Sequence, residues 1–323
     1  MDRRTFVGCL AGGLVAAPLS ARAQQPAIPA IGLLRSTPSG PFAHIVEALR
    51  QGLKETGFVE GQNVTIEQRW ADNQLDRLPG LAADLVARKV AVIVTNDGKV
   101  AKKATATIPI VFVTSGDLVA LGFVASLNRP GGNVTGVNTF ANQLGGKRLG
   151  LLLELVPKAT VIGFLLDPGR PASVTEFSEV EAAARTLGRK IVLVKAASER
   201  EFEPAFATFV KAGAGALAVG GSALFTSQSR QLVALAARHS IPAIYDVREH
   251  AAAGGLISYG ASLADAYRQA GVYAGRILKG AKPSEMPVLQ ASTFELVINM
   301  KTAKALGITI PQSVLLRADE VIQ

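Results

Sequence analysis

The residues best suited to bind a metal or attack a substrate are few and scattered. The 323-residue chain contains one cysteine, Cys9, and three histidines, His44, His239 and His250. A structural zinc site takes four nitrogen or sulfur ligands, and a catalytic zinc site takes about three clustered ones. The sequence has no H-E-x-x-H motif either. It therefore predicts no metal site and no cofactor.

One pair of residues has the spacing of a catalytic dyad. Asp246 and His250 lie four positions apart, on one face of a predicted helix. A hydrolase would also need a nucleophile, and the chain has no G-x-S-x-G motif. We interpret the pair as ordinary surface residues, and we predict no catalytic residues and no enzyme.

Nucleotide-binding loops are absent from the sequence. The first predicted strand is followed by RSTPSG at 35–40 rather than G-x-G-x-x-G, and no G-x-x-x-x-G-K-[ST] occurs. The segment Gly145-Gly146-Lys147-Arg148 lacks a preceding strand and the final Ser or Thr. Neither a dinucleotide nor a γ-phosphate is predicted to bind.

The N-terminal residues resemble an export signal. Arg3 and Arg4 precede an apolar run from Phe6 to Leu19, and Ser20-Ala21-Arg22-Ala23 follows as a cleavage site. The paired arginines indicate the twin-arginine route, and Cys9 lies too early in the run to carry a lipid. We predict a signal peptide at 1–23, cleavage after Ala23, and a soluble protein of the periplasm.

Composition limits the possible partners. Residues are 49% hydrophobic and 18% charged, and no run approaches the roughly 20 apolar residues that cross a bilayer. Loss of the leader, with its three arginines and one aspartate, lowers the formal net charge from +9 to +7. The remaining basic residues are dispersed with few aromatics between them. We predict a monomer that is not embedded in a membrane and does not bind nucleic acid.

Strands and helices alternate along the chain. Apolar runs at 30–34, 64–69, 90–95, 109–113 and 134–138 are each followed by a helical pattern, including one at about 118–127. The same alternation restarts after a helix at about 142–156, with strands at 160–166, 190–194, 215–219, 242–244 and 256–259. The tail holds a helix at about 262–279, an apolar run at 294–298, a short helix at 300–306 and a strand at 313–316. This alternation predicts an α/β protein with two doubly wound parallel sheets.

Ligands of such sheets bind beyond the carboxyl ends of the strands. Polar side chains at helix N-termini suit an anionic group there, such as a carboxylate. Tyr245 and Phe225 would either wall an aromatic ligand or belong to the core. The candidate ligand-binding residues at the strand ends are Ser36, Thr37, Ser39, Asn96, Asp97, Thr114, Ser115, Asp117, Asp167, Ser173, Ser222, Tyr245, Arg248 and Glu249.

Several segments together resemble one known family. They are the leader end ARAQQ, LKETGFVEGQNVTIEQRWA at 53–71, ATATIPIVF at 104–112, LVASLNRPGGNVTGV with Phe123 in place of its first Leu, GGLISYG at 254–260, and FELVINMKTAKALGITIPQSVLLRADEVI at 294–322. The resemblance is to the ABC-transporter substrate-binding proteins that include tryptophan- and tyrosine-binding members, and it covers essentially the whole chain.

The resemblance implies a type I periplasmic-binding-protein fold, in which two lobes joined by a hinge close on a small solute. We expect lobe 1 at 24–140 plus about 262–323 and lobe 2 at 141–261, with a third hinge crossing in the tail. The expected partners are a small solute that bears a carboxylate, an amino acid or an aromatic acid, and an ABC permease with its ATPase. A sensory module that presents its ligand to a chemoreceptor or sensor kinase is the alternative.

Roles follow from the same resemblance by strand position. Asn96, Thr114 and Ser115 are expected to bind the solute's carboxylate, and Glu249 its ammonium group, with Asp246 and Asp167 as alternatives. Asp97 and Lys99 place two charges at this loop, where they either contact the ligand or pair with each other in solvent.

Overall fold

A computed structural model describes residues 28–170 and 172–323, without the side chain of Asn142. The predicted signal peptide at 1–23 and its cleavage point lie outside the described residues. Within the described ranges, no helix combines the length and the apolar character that crossing a bilayer requires.

The strands form where short apolar runs are buried on both faces, as in VIVT at 92–95, whose four residues are all buried. The strands, in chain order, are β1 (Ala30–Arg35), β2 (Thr65–Trp70), β3 (Val92–Thr95), β4 (Ile110–Thr114), β5 (Val134–Asn138), β6 (Val161–Leu166), β7 (Lys190–Lys195), β8 (Ala216–Val219), β9 (Ala243–Tyr245), β10 (Ile257–Ala261), β11 (Leu289–Gln290), β12 (Phe294–Asn299) and β13 (Glu320–Ile322).

The helices are amphipathic and cover both faces of the sheets. In chain order they are α1 (Ala43–Glu55), α2 (Leu78–Ala87), α3 (Gly98–Ala104), α4 (Gly145–Leu155), α5 (Ala172–Thr186), α6 (Phe202–Lys211), α7 (Ala223–Ser227), α8 (Ser229–Arg238), α9 (Arg248–Ala252), α10 (Leu263–Leu278), α11 (Met300–Ala305) and α12 (Gln312–Leu315), with 3₁₀ turns at Gly40–Phe42, Leu75–Arg77, Ala141–Gln143, Glu199–Glu201 and Pro283–Glu285.

The strands assemble into two sheets, one in each lobe. The first has the order β11-β5-β4-β3-β1-β2, and the second has the order β13-β12-β10-β9-β8-β6-β7. Among the described pairings only β10 with β12 is antiparallel. The α/β fold with two mainly parallel sheets, predicted from the sequence, is confirmed.

The tail divides between the lobes, which differs from the expected assignment of 262–323 to lobe 1. Helix α10 packs on α1, and β11 pairs with β5 of the first sheet. Strand β12 instead pairs with β10, and β13 pairs with β12, so residues 294–323 complete the second sheet. Buried Ala303, Ile310 and Val314 explain this placement, because they join the apolar core of lobe 2.

Two predicted elements are wrong. Residues 118–127 do not form a helix, because a single turn capped by Asp117 ends at Gly122, whose φ is +63°. The predicted strand at 313–316 is helix α12, which starts after Pro311 and buries Val314. The last strand comes later, at β13.

The chain passes between the sheets three times, through neighbouring segments. The passages follow β5 at Thr139–Phe140, β10 at Ala261–Ser262, and β11 at 291–293. Hydrogen bonds join the third crossing to the other two. The Ala291 amide donates to the Asn138 carbonyl, and the Ser262 amide donates to the Thr293 carbonyl. These three crossings are the segments of the described chain that connect the two sheets.

Candidate ligand-binding cleft

The site in lobe 1 begins where the chain order of the strands reverses. Strand β1 lies between β2 and β3, so the loops after β1 and β3 diverge and leave a crevice. Ser36 and Asn96, the first residues after these strands, tie the crevice together. The Asn96 Nδ2 donates to Ser36 Oγ at 2.7 Å, and the Ser36 amide donates to Asn96 Oδ1 at 3.1 Å.

Lobe 2 repeats the arrangement. Strand β6 lies between β7 and β8, and the residues that follow β6 and β8 again meet across the reversal point. The Ser222 Oγ donates to Asp167 Oδ2 at 2.5 Å, and Asp167 Oδ1 accepts the Gly169 amide at 2.9 Å. Both lobes therefore present a hydrogen-bonded polar pair at the carboxyl edge of their sheet.

A cleft of about 620 Å³ lies between these two edges. This volume lies within the range usual for small-molecule sites. Its apolar wall comes mainly from lobe 1 and includes three aromatic rings. The apolar side chains along it include Phe42, Leu75, Leu118, Leu121, Phe123, Leu224 and Tyr267.

Asp246 is the acid most deeply placed in this cleft. It follows β9, it is 5% exposed, and its Oδ1 atom has no hydrogen-bond partner among the described residues. Burial raises the pKa of Asp246 to about 7, with Arg148 and Arg170 opposing the rise and Glu176 and Glu249 adding to it. A positive group of a ligand beside Asp246 would stabilise the ionised carboxylate.

A buried ion network supports Asp246 from behind. Glu176 accepts hydrogen bonds from Arg148, from the Gly221 amide and from Arg170. Gly221 must lack a side chain here, because a Cβ atom would lie 2.7 Å from Asp246 Oδ2 and 2.9 Å from Arg170 Nη1. The two arginines of this network lower the pKa of Asp246 by less than burial raises it.

Asp246 and His250 are not surface residues, contrary to the sequence interpretation. His250 is fully buried, its ring stacks on Tyr245 with centroids 4.6 Å apart, and its Nδ1 lies 3.9 Å from Asp246 Oδ1. Burial lowers the pKa of His250 to about 4. The surface interpretation failed because α9 is short and packs between β9, β10 and β12.

A buried arginine lies on the opposite side of the cleft. Arg35 ends β1, is 4% exposed, and lies over the rings of Phe42 and Tyr267 at 4.8 and 5.1 Å from the centroids. Its Nη1 donates to the Tyr267 hydroxyl and its Nη2 to Thr37 Oγ1 at 3.4 Å, whereas its Nε has no partner.

Two contacts join the lobes across the mouth of the cleft. His44 of α1 lies 2.8 Å from Glu249 of α9, measured from Nε2 to Oε1. The Asn73 Nδ2 donates to Ser227 Oγ at 3.0 Å. These contacts connect residues of separate lobes, so the structure is in a closed arrangement.

The structure brings seven of the fourteen predicted site residues to the cleft. Ser36, Asn96, Asp97, Thr114, Ser115, Asp167 and Ser222 line it. Asp97 also caps α3 by accepting the Val100 amide.

The other seven predicted residues do not line the cleft. Thr37 and Ser173 are buried beside it, while Ser39 and Asp117 are exposed turn residues. Tyr245, like Phe225, belongs to the core of lobe 2. Arg248 pairs with Glu320 and Glu295, and Glu249 pairs with His44.

Sequence reasoning missed Arg35, Arg170 and the aromatic wall. Arg35 carried a signal, since a charged residue that ends an apolar strand occupies the same edge as the candidates that follow it. Nothing in the sequence predicts the aromatic wall, because Phe42 and Tyr267 are more than 200 positions apart in sequence and meet only through the packing of α1 on α10.

The titrations of buried Asp246 and His250 change the free energy of unfolding in opposite directions as the pH rises. The folded pKa of Asp246 lies above its usual 3.8, so between pH 3.8 and about 7 the folded state alone keeps that proton. Its contribution to the unfolding free energy falls there by about 1.4 kcal/mol per pH unit. The folded pKa of His250 lies below its usual 6.5, so its contribution rises with pH between about 4 and 6.5. The two slopes cancel in this window.

Asp246→Asn is expected to reveal the slope of His250. Relative to the unmodified protein, the free energy of unfolding of the variant should rise by about 1.4 kcal/mol per pH unit from pH 4 to 6.5. His250→Asn should show the opposite slope. Urea titrations at a series of pH values, without ligand, measure both, and parallel profiles for all three proteins would contradict the assigned pKa directions.

Comparison with known proteins gives one family and several similar structures. The model of a family described as ABC transporter substrate binding protein matches residues 37–322. The chain is 27% identical over 259 residues to a tyrosine-binding protein of Clostridioides difficile (strain R20291). The match covers 79% of this chain and 74% of that protein.

Two solved structures that are similar to this chain differ in whether they contain a ligand. An ABC domain from Streptococcus pneumonia in complex with L-Trp has a TM-score of 0.83 and 27% identity, and the match covers 91% of this chain and 99% of that one. A ligand-free, open substrate-binding protein from Clostridium difficile has a TM-score of 0.67 and 25% identity, with 92% and 99% covered.

Proposed function

The chain belongs to the family of ABC transporter substrate-binding proteins, and on this premise we propose that it binds an aromatic α-amino acid and delivers it to a permease for import. The observation that carries the choice of solute is Asp246, a buried acid that lines the cleft and whose Oδ1 atom has no hydrogen-bond partner among the described residues. A solute without a positive group would leave this carboxylate either protonated or uncompensated.

The amino group of the solute binds at Asp246. An ammonium group offers three N–H donors to the carboxylate in a site that water barely reaches. Glu249, which the sequence favoured for this role, is already engaged by His44 at the mouth of the cleft. Asp167 is likewise engaged, by Ser222 and the Gly169 amide.

The carboxylate of the solute binds at the polar edge of lobe 1. Ser36, Asn96, Thr114 and Ser115 lie at the ends of three neighbouring strands there and line the cleft. Hydroxyl and amide groups at such strand ends suit an anion. The solute then spans the two lobes, with its acid in lobe 1 and its amine in lobe 2.

The side chain of the solute lies against the apolar wall. Phe123 supplies an aromatic ring, and Leu118, Leu121 and Leu224 supply aliphatic side chains. Aromatic rings prefer such surfaces, where offset stacking adds to the burial of apolar area. The tyrosine-binding relative and the L-Trp complex support an aromatic solute on independent grounds.

Binding and closing are one event in this proposal. The solute joins the lobes from inside the cleft, while His44–Glu249 and Asn73–Ser227 join them at its mouth. The closed form then presents a combined surface of both lobes to the permease with its ATPase. The leader pattern of residues 1–23 supports a periplasmic site for this function.

The experiment that tests the function is a thermal-shift screen of the purified protein. The panel contains the proteinogenic amino acids, aromatic acids without an amine, aliphatic carboxylates and short peptides. A ligand at 100 times its dissociation constant adds about 2.7 kcal/mol to the stability of the folded state. We expect shifts with tryptophan, tyrosine or phenylalanine, and shifts with amine-free acids alone would contradict the proposal.

Glu249→Gln separates closure from recognition of the amine. The burial of Glu249 would raise its pKa, but the hydrogen bond from His44 and one from its own backbone amide lower that pKa overall, so the pair is favoured with Glu249 ionised. The variant should bind the amino acid about threefold to tenfold more weakly, because the closed form loses a partly exposed ion pair worth about 1 kcal/mol.

The preference for the amino acid over its amine-free analogue should not change in Glu249→Gln, as measured by calorimetric titration of both ligands. Glu203→Gln is the matched control, since Glu203 pairs with Arg238 on the surface of lobe 2 alone. If Glu249→Gln lost the preference for the amino acid over its amine-free analogue, Glu249 rather than Asp246 would be the residue that binds the amine.

A further inference from the structure

Arg35 is a buried cation in the cleft that no acid of the described residues neutralises. We infer that Arg35 is the receptor for a carboxylate group of the solute. The inference deepens the proposed function and rests on it for the amino-acid solute used in the test. It adds a buried positive charge to the hydroxyl and amide groups of Ser36, Asn96, Thr114 and Ser115 at the edge of lobe 1.

The burial of Arg35 is costly without a counterion. The side chain is 4% exposed, and a guanidinium removed from water loses its hydration unless a charge or several acceptors replace it. Of its five N–H groups, the hydrogen bonds found among the described residues use only two, to Tyr267 and Thr37. The Nε atom is buried and has no acceptor.

The aromatic contacts position the guanidinium but do not neutralise it. Phe42 and Tyr267 each lie about 5 Å from the guanidinium carbon, measured to the ring centroid, which is the distance of a cation–π contact. Such contacts restrict the orientation of the side chain. A planar group held this way can present two parallel N–H donors to a carboxylate.

Three of the other charged groups that line the cleft, Arg170, Asp97 and Asp167, already have partners in the described structure, and Lys99 is an exposed second cation on the lobe 1 side. Arg170 donates to Glu176 and to the Gly221 carbonyl. Asp97 caps α3, and Asp167 accepts from Ser222 and the Gly169 amide. No acid that lines the cleft is therefore left for Arg35 on its own side, and Asp246 belongs to lobe 2.

The two unsatisfied charges are complementary to a zwitterion. Arg35 ends β1 of the first sheet, and Asp246 follows β9 of the second, so they approach the cleft from different lobes. An amino acid places its carboxylate and its ammonium group at one end, with the side chain free to lie on the apolar wall. Lobe 1 then binds the carboxylate through Arg35, and lobe 2 binds the ammonium group through Asp246.

The test compares L-tryptophan with L-tryptophanamide, in which a neutral amide replaces the carboxylate. Calorimetric titration of the unmodified protein should show a preference of about fiftyfold for the acid. In Arg35→Met the affinity for the acid should fall about fiftyfold while the affinity for the amide changes less than threefold, so that the preference disappears. An unchanged preference, or an equal loss for both ligands, would overturn the inference.

A milder variant guards against misfolding of Arg35→Met. Tyr267→Phe keeps the ring and removes only the hydroxyl that accepts from Arg35, so it should lower the preference for the acid about fivefold. Tyr273→Phe is its control on the same helix, because the Tyr273 hydroxyl donates to the Pro287 carbonyl instead. Equal preferences in Tyr267→Phe and Tyr273→Phe would count against Arg35.

The outcome for Arg35 is separable from the outcome for the proposed function. If only amine-free acids bind, and Arg35→Met abolishes their binding, the proposed function fails and the inference stands. If no carboxylate binds the unmodified protein more tightly than its amide, the inference is overturned.

Discussion

Asp246→Asn is expected to weaken the binding of an aromatic amino acid by at least about a hundredfold, or about 2.8 kcal/mol of binding free energy. The substitution keeps the shape of the side chain and removes its charge in a site that is 95% shielded from solvent. Breaking one side of a buried charge pair leaves the other charge uncompensated, which costs more than the pair itself contributes. Calorimetric titration with tryptophan and tyrosine measures the loss.

Asp167→Asn is the matched control for Asp246→Asn. Asp167 lines the same cleft, but its two oxygens already accept from Ser222 and the Gly169 amide. We expect its affinity to change less than fivefold. A larger loss in Asp167→Asn than in Asp246→Asn would move the amine site to the reversal point of the second sheet.

Gly52→Ala is expected to lower the free energy of unfolding by about 3 kcal/mol, the upper end of the usual cost of overpacking. Helix α1 crosses α10 so closely at this point that a Cβ atom on Gly52 would lie 1.8 Å from the Arg268 carbonyl oxygen and 2.8 Å from the Val272 amide nitrogen. Both are backbone atoms of a neighbouring helix, so the two helices must separate. Urea titration measures the loss.

Gly150→Ala controls for helix propensity. Gly150 lies inside α4, and no other atom lies within 4 Å of the position its Cβ would take. Alanine is favoured over glycine in a helix interior by about 0.5–1 kcal/mol, so this variant should gain stability. If both substitutions changed the free energy of unfolding in the same direction, the close packing of α1 on α10 would not explain the effect of Gly52→Ala.

The regular part of the fold was predictable because the chain repeats one local pattern. Apolar runs such as VAVIV at 90–94 leave only a strand buried on both faces, and their alternation with amphipathic helices requires parallel pairing. The tail was not predictable in the same way. The antiparallel pairing of β12 with β10 depends on contacts between residues 33 to 41 positions apart, and no local pattern selects one lobe over the other.

The site was predictable where it follows the strand ends and not where it depends on packing between elements. Ser36, Asn96, Asp167 and Ser222 lie at the cleft because parallel strands end at a common edge. The choice between Asp246 and Glu249 was beyond the sequence, since three positions along one short segment decide whether a carboxylate faces the cleft or reaches His44. Burial of His250 likewise depends on α9 packing into lobe 2.

The most direct test of the central claim is the affinity of the protein for L-tryptophan and L-tyrosine beside two incomplete analogues of tryptophan. Tryptamine lacks the carboxylate, and indole-3-propionate lacks the amine. We predict saturable binding of one or both amino acids, at one site per chain and without chemical change of the ligand, and affinities at least a hundredfold weaker for both analogues. Equally tight binding of either analogue, or conversion of the ligand to a product, would contradict the account.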